Sequence, residues 1–162
     1  HDQVVTTIDS VKDIGFKTFF VGFVCQLENK YLVKEHPKGK TNFYNLPSGK
    51  PIFGESISDA LIRTFDENTG LKLKTNNFKY LCLHLKTIKT SSGEALFDDA
   101  FAIYEVRIKS KDKSEMKLQK QIKWLNLNKI KKLPNRWPEV DILIIKKDYS
   151  NYQTYEFTSD YV

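Results

Sequence analysis

The 162-residue chain has only two cysteines. Cys25 and Cys82 both stand inside apolar runs, and their number and spacing make neither a disulfide framework nor a zinc pattern. They read as two small core residues of a protein kept in a reducing compartment. Five prolines and seven glycines are too few for a fibrous or low-complexity chain. Long hydrophobic runs are missing too. The longest, Thr18 to Leu27, is about half of the ~20 residues that a bilayer requires, so no membrane partner is expected. The stretch from His1 to Lys17 is polar and mixed in charge, which does not read as a secretory leader. A cytoplasmic location is expected.

Aromatics, by contrast, are plentiful. Eleven Phe, eight Tyr and two Trp are enough for a substantial core in a chain of this length. One domain is expected over residues 1–162, with 1–16 as an N-terminal extension and 149–162 as an aromatic tail. Tyr149, Tyr152, Tyr155, Phe157 and Tyr161 of that tail are placed to pack on the domain or across a dimer. The net charge of +6 suits an anionic partner such as a nucleotide, a polyphosphate or RNA, and equally suits solubility alone.

Hydrophobic patterning gives the elements. Residues 18–27 are short, aromatic and β-branched, as in a buried strand. Glu28, Asn29 and Lys30 form a turn, and 31–35 return as a second strand paired to the first. Residues 37–42 and 43–49 read as loops. Ser56 with Asp59 makes the start of a helix, whose apolar stripe is Ile57, Leu61 and Phe65. Gly70 is placed to end it in a left-handed cap. Strands follow at 78–88, 97–108 and 121–125, with a charged loop or hairpin end at 110–117. A short helix spans 126–133, and a last helix begins near Pro138 and runs to Lys147. The fold class is α+β: an antiparallel or mixed sheet with helices packed on it.

One segment carries a motif. Leu46-Pro-Ser-Gly49 is followed by five residues and Glu55, then seven residues and Arg63, then Glu67 and Gly70-Leu71. Phe65 takes a bulky position between Arg63 and Glu67, and Gly54-Glu55-Ser56 leads into the helix. This pattern resembles the Nudix (MutT-like) hydrolase box. Lys123 to Leu133, with Trp124, resembles that family's late tryptophan strand and short helix, so the likeness extends over about residues 17–148. The resemblance implies an α/β/α sandwich with a mixed sheet flanked by helices, and a nucleoside-diphosphate-linked substrate. It also implies an Mg²⁺ or Mn²⁺ cofactor held by three glutamates on one helix face. Positions i, i+3 and i+4 share such a face, and carboxylates there hold cations that neutralise phosphate oxygens and activate water.

The three matching ridge positions in this chain are Thr64, Glu67 and Asn68. Two neutral side chains replace two carboxylates, so the box is degenerate and the metal site weakened. Glu67 remains as the expected ligand and catalytic group, and the backbone carbonyl of Ser48 as a second ligand. Arg63 is expected to orient the ridge, or else to tie the loop to the helix through Glu55. Asp66 should point away from Thr64, toward Arg63. Gly49, Glu55 and Gly70 are the structural residues of the box.

Outside the box, Glu94, Asp98 and Asp99 stand near a loop and a strand start. Glu94 or Asp99 would be the compensating acid, against the plainer reading of surface residues. Lys34, His36, Lys38, Lys40 and Lys50 cluster around the loop entering the box, and Lys38, Lys40 and Lys50 are candidate phosphate contacts. His84 alternates with Cys82 and Tyr80 and should line one sheet face. Residues 107–132 carry ten Lys or Arg against Asp112 and Glu115, a stretch able to track RNA or simply to face solvent. Two functions follow: an impaired metal-dependent pyrophosphohydrolase, or an inactive domain of that family that binds nucleotide or RNA.

Overall fold

A computed structural model describes residues 18–38, 41–89, 92–93, 95–151 and 153–158. The strands are β1 (Thr18–Leu27), β2 (Lys30–Lys38), β3 (Thr41–Asn45), β4 (Ser48–Gly49), β5 (Phe78–Lys89), β6 (Ala95–Val106), β7 (Ile122–Asn126) and β8 (Gln153–Thr158). They join one mixed sheet in the order β3-β2-β1-β6-β5-β8, with β4 added to β1 and β7 to β2. The helices are α1 (Ile57–Thr69), α2 (Ser110–Lys113) and α3 (Leu127–Lys132), with a π-helical segment at Val140–Ile145. The expected α/β/α sandwich with a mixed sheet is the observed architecture.

The alternation of side chains along β1 explains the layering. Val21, Phe23 and Cys25 point to one side, where Leu61 and Phe65 of α1 pack on them with Leu83, Ala100, Ala102 and Tyr104. Val24 points to the other, where Phe101, Ile103 and Cys82 meet Val140, Leu143 and Ile144 of the π-helical segment and Ile130 of α3. A strand buried on both faces must be apolar throughout, which is why 18–27 is a continuous run. β1 runs parallel to β6, from Thr18 opposite Asp99 to Cys25 opposite Val106. The β1–β2 hairpin closes through Glu28 and Asn29, both at positive φ, as a two-residue turn with this twist requires.

The helix signals are realised. Ser56 accepts from the Asp59 N–H at 3.1 Å, and Gly70 takes φ +73° with its N–H on Asp66 O. Cys25 and Cys82 are buried free thiols.

Several elements differ from the sequence expectation. The loop over 43–49 is in fact β3 and β4. Phe43 and Asn45 are buried, and Asn45 Oδ1 accepts from the Leu46 N–H at 2.7 Å, so the segment alternates through a polar residue that hides its strand character. β2 and β3 extend into the expected loop at 37–42, pairing Pro37 with Asn42 beyond Lys34, the last residue of β2 paired to β7. The charged loop at 110–117 starts with α2. The last helix is π-helical over six residues. Within the expected aromatic tail, Gln153–Thr158 pack on the domain as β8, parallel to β5 from His84 opposite Gln153 to Lys89 opposite Thr158, while Tyr152 and Tyr161 lie outside the described residues. A β-bulge between Tyr80 and Cys82 turns Tyr80 to the α1 side, so it does not share a face with Cys82 and His84. The expected extension at 1–16 lies outside the described residues.

Candidate functional site

β4 is only two residues long, and it positions the corner that the motif pointed to. Ser48 and Gly49 pair with Gly22 and Val21 of β1, which pins the loop to the sheet. On its other side the loop lies directly on α1. A Cβ built on Gly49 would stand 2.2 Å from Thr64 Cβ, so only glycine fits there. Glu55 and Arg63 bind the same corner. Arg63 Nε donates to Glu55 Oε2 at 2.7 Å and Nη2 to Glu55 Oε1 at 2.9 Å, a two-point contact. Arg63 Nη2 also reaches Lys50 O at 2.9 Å, and Nη1 reaches Glu67 Oε1 at 2.8 Å. The guanidinium holds the Glu55 carboxyl below the usual glutamate range, and Glu55 and Glu67 raise Arg63 in turn. Arg63 thus spends its donors on Glu55, Glu67 and the loop backbone, and its acidic partner one turn on is Glu67 rather than Asp66.

The other two ridge positions face inward. Thr64 is buried and its hydroxyl donates to Ala60 O at 2.7 Å, the back-bonding habit of threonine in helices. Asn68 is buried and its Nδ2 donates to Thr64 O at 2.7 Å and Ser48 O at 3.0 Å. Asn68 Oδ1 has no hydrogen-bond partner among the described residues. Ser48 O, the expected metal ligand, therefore carries an amide hydrogen. Among the described residues no three His, Cys, Asp or Glu converge as a metal site would require. Past the end of α1, Lys117 and Gln119 donate backbone N–H groups to Thr69 O and Asn68 O, so part of the basic 107–132 stretch caps this helix.

A second polar centre lies on the opposite face of the sheet, and the sequence reading missed most of it. Lys86 of β5 is 1% exposed and Glu139 0%, with Lys86 Nζ 3.8 Å from Glu139 Oε2. The ammonium lies 4.3 Å from the Phe101 ring centre and 3.8 Å from that of Trp137, a cation held between two aromatic rings. The Tyr155 hydroxyl of β8 donates to Glu139 Oε1. His84 Nδ1 is 3.3 Å from that hydroxyl. Since the single Tyr155 proton goes to the carboxylate, the hydroxyl accepts at His84, which fixes the hydrogen on Nδ1 and leaves Nε2 as an acceptor. Burial lowers the Lys86 pKa against the pull of Glu139 and Asp99, and lowers that of His84. Asp99, paired across the sheet with Lys86, is raised by burial.

The two centres are joined by aromatic rings. Lys50 Nζ is 6.0 Å over the Phe20 ring. Phe20 stacks on Phe101 at 4.8 Å, and Lys86 lies on Phe101. The structure thus brings Arg63, Glu67, Glu55, Ser48, Gly49 and Lys50 together at the corner, and sets Asp99 at Lys86. Lys40, Glu94 and the Lys38 side chain lie outside the described residues. His84 and Lys86, two polar residues at period two between Leu83, Leu85 and Thr87, were the legible sign of the second centre. Trp137-Pro138-Glu139 gave no such sign, because its meaning depends on a strand more than fifty residues away.

Comparison with models of protein families, and with curated protein sequences, returns no match. Solved structures do match. A MutT protein from Bacillus halodurans superposes with TM-score 0.66 at 18% identity, over 90% of this chain and 94% of that one. The NUDIX domain of Shewanella oneidensis NrtR, complexed with ADP ribose, gives 0.60 at 15% identity, over 85% and 90%. A MutT structure from a study of Aliivibrio salmonicida and Vibrio cholerae gives 0.52 at 16%, over 80% and 94%. The chain has the Nudix fold.

Proposed function

We propose that this Nudix-fold domain binds a nucleoside-diphosphate-linked compound and holds it without efficient hydrolysis. One observation carries the second half of the reading: Glu67, the one carboxylate of the ridge, is already engaged by Arg63 at 2.8 Å. Mg²⁺ takes six oxygens, ordinarily one or two carboxylates completed by waters and substrate phosphates, so a site needs carboxylates that are free to turn to the ion. Here Thr64 turns its hydroxyl to Ala60 O, Asn68 gives its amide to Ser48 O, and the remaining Glu55 is bound at two points by the same arginine. These residues do not fit an Mg²⁺ or Mn²⁺ ion, so no step is assigned to one. Positions 64 and 68 supply no general base either, since neither threonine nor asparagine accepts a proton near neutral pH.

Binding draws its support from the line of groups between the two centres. Lys50 is an exposed cation beside the corner, suited to phosphate as a point charge. Phe20, half-buried, offers a ring next to it, backed by the buried Phe101 ring. A diphosphate at the corner with a flat group toward Phe20 matches this layout. The ADP ribose held by a structure of the same fold makes that compound the natural first probe.

The test is thermal unfolding with ADP-ribose, with and without Mg²⁺, beside a turnover assay on nucleotides and nucleotide sugars. Ligand at 100 times its Kd stabilises by about 2.7 kcal/mol, a rise that should be the same in EDTA. Turnover that depends on metal and is abolished by Glu67→Gln would refute the proposal and favour an impaired pyrophosphohydrolase.

A further inference from the structure

Two carbonyl oxygens that approach one another need something positive between them. At the corner those oxygens are Ser48 O, from the loop, and Thr64 O, from α1. Asn68 Nδ2 lies within 3.0 Å of the first and 2.7 Å of the second. Both are acceptors only, so the side chain can be placed in one way, with nitrogen toward them and Oδ1 away. That orientation leaves Oδ1 buried without a partner among the described residues, which has a free-energy cost. An asparagine kept in this pose at that cost indicates that its two donors matter more than its acceptor.

The surroundings leave these donors as the link between loop and helix at this level. Gly49 is in contact with Thr64, with no room for even a methyl group. The Thr64 hydroxyl is turned back into its own helix. Arg63 fastens the outer side of the loop through Lys50 O. The inner side is held at Ser48 O, whose residue pairs in turn with Gly22 of the sheet.

We propose that the Asn68 amide acts as a built-in substitute for a cation. It joins the Ser48 carbonyl to α1 by hydrogen bonds, so that the corner closes without metal, and a carboxylate at the same position would make closure cation-dependent. Asn68 is a positioning residue in this scheme and touches no ligand. The inference concerns how the corner is held and stands apart from whether a nucleotide binds.

The experiment compares the wild-type chain with Asn68→Asp and Asn68→Ala after EDTA treatment. Aspartate has almost the shape of asparagine but brings oxygen, not N–H, to the two carbonyls. Its melting temperature should fall by roughly 2–4 °C in EDTA and recover on adding Mg²⁺ or Mn²⁺, with bound Mn²⁺ visible as loss of the free-ion electron paramagnetic resonance signal. The alanine variant should fall by a similar amount and recover with neither ion. Wild type should respond to neither. Should Asn68→Asp fail to fold in EDTA, refolding in Mn²⁺ must restore it, and Asn68→Glu, with a longer reach, repeats the test. The proposal is overturned if wild type or Asn68→Ala gains stability from the ions as the acidic variants do. It is equally overturned if neither acidic variant responds to them.

Discussion

Replacing Glu139 by glutamine changes one charge and almost no volume, in a place where charge is costly. Lys86 would then keep a buried ammonium that has lost its glutamate partner, with Asp99 as an acidic neighbour, while the new amide still accepts from Tyr155. Removing one partner of a buried pair costs about 3–5 kcal/mol. The lysine has an escape that sets a ceiling. It can give up its proton, and taking an amine of ordinary pKa near 10.4 to the neutral form at pH 7 costs about 4.6 kcal/mol. The two rings against Nζ recover up to about 2 kcal/mol if the charge is kept. A net loss of about 2–4 kcal/mol at pH 7 follows, which at a urea slope near 2 kcal/mol/M moves the midpoint by about 1–2 M. Urea unfolding at pH 7 and at pH 9.5 measures it. Because Glu139→Gln pushes the Lys86 pKa still lower, its folded form sheds a proton that the unfolded chain retains, and the loss should shrink at the higher pH. The double variant Lys86→Met/Glu139→Gln should recover most of the stability, since two neutral groups of similar size need no counter-charge. A loss under 1 kcal/mol, a loss that does not change with pH, or simple additivity in the double variant would refute the picture of a charged pair caged by Phe101 and Trp137.

The corner and the second centre each yield further tests. Tyr155→Phe strips Glu139 Oε1 of its donor and His84 Nδ1 of its acceptor, and should cost about 1–3 kcal/mol in urea unfolding. His84 is held below its usual pKa by burial, so the unfolded chain takes up a proton that the folded one does not. Stability should therefore fall as pH drops below about 6.5, and His84→Gln should flatten that slope by calorimetry, with a part left from His36, which burial also lowers. Glu55 is held low by Arg63, so its contribution is full above about pH 4.3 and disappears below it. Arg63→Lys loses the two-point contact and should remove this acid-side step. Gly49→Ala should unfold or displace the corner, read by amide exchange at residues 48–50, and Thr64→Ala should not rescue it, because the clash is with Thr64 Cβ itself.

The corner could be read from sequence because its geometry is local. Glycine, glutamate and arginine at fixed spacing around one helix turn a loop onto it, and Ser56 and Gly70 mark the helix ends by their own chemistry. β1 was visible for a similar reason, since a strand buried on two faces is mostly apolar, and β5 and β6 showed themselves by long runs of aromatic and aliphatic residues. What escaped had non-local causes. β3 was hidden by a buried Asn45 that satisfies its polarity on the neighbouring backbone. β8 carries its aromatics on alternate residues of a strand that needs the edge of β5 before it means anything. The bulge after Tyr80 has no residue signature and reverses the face of half a strand. Lys86 and Glu139 were the largest omission. A lysine in a strand is ordinarily a surface residue, and only Phe101, Trp137, Tyr155 and Glu139, drawn from three other segments, make its burial tolerable.

The two centres solve the same electrostatic problem in one manner. Each gathers two carboxylates, partly in solvent at the corner and buried at the second centre, and each answers with one long basic side chain: Arg63 between Glu55 and Glu67, Lys86 between Glu139 and Asp99. The choice of base follows exposure and geometry. Arg63, partly exposed, uses its planar fork to satisfy two acids and a carbonyl at once. Lys86, sealed from water, presents a compact ammonium that two ring faces can contact. Both internal cations are already committed, so an incoming diphosphate meets them only by competing with Glu67 or Glu139 for them. Lys50, exposed above Phe20 and without a carboxylate partner in the described residues, is the cation with nothing to give up. Lys50→Gln should therefore weaken binding of ADP-ribose roughly tenfold by isothermal calorimetry and flatten its salt dependence, while leaving the melting temperature of the free protein within 1–2 °C, roughly the change expected of a surface substitution. Unchanged affinity in that variant would mean that phosphate is held elsewhere, and the line from the corner to the second centre would no longer describe how a ligand lies.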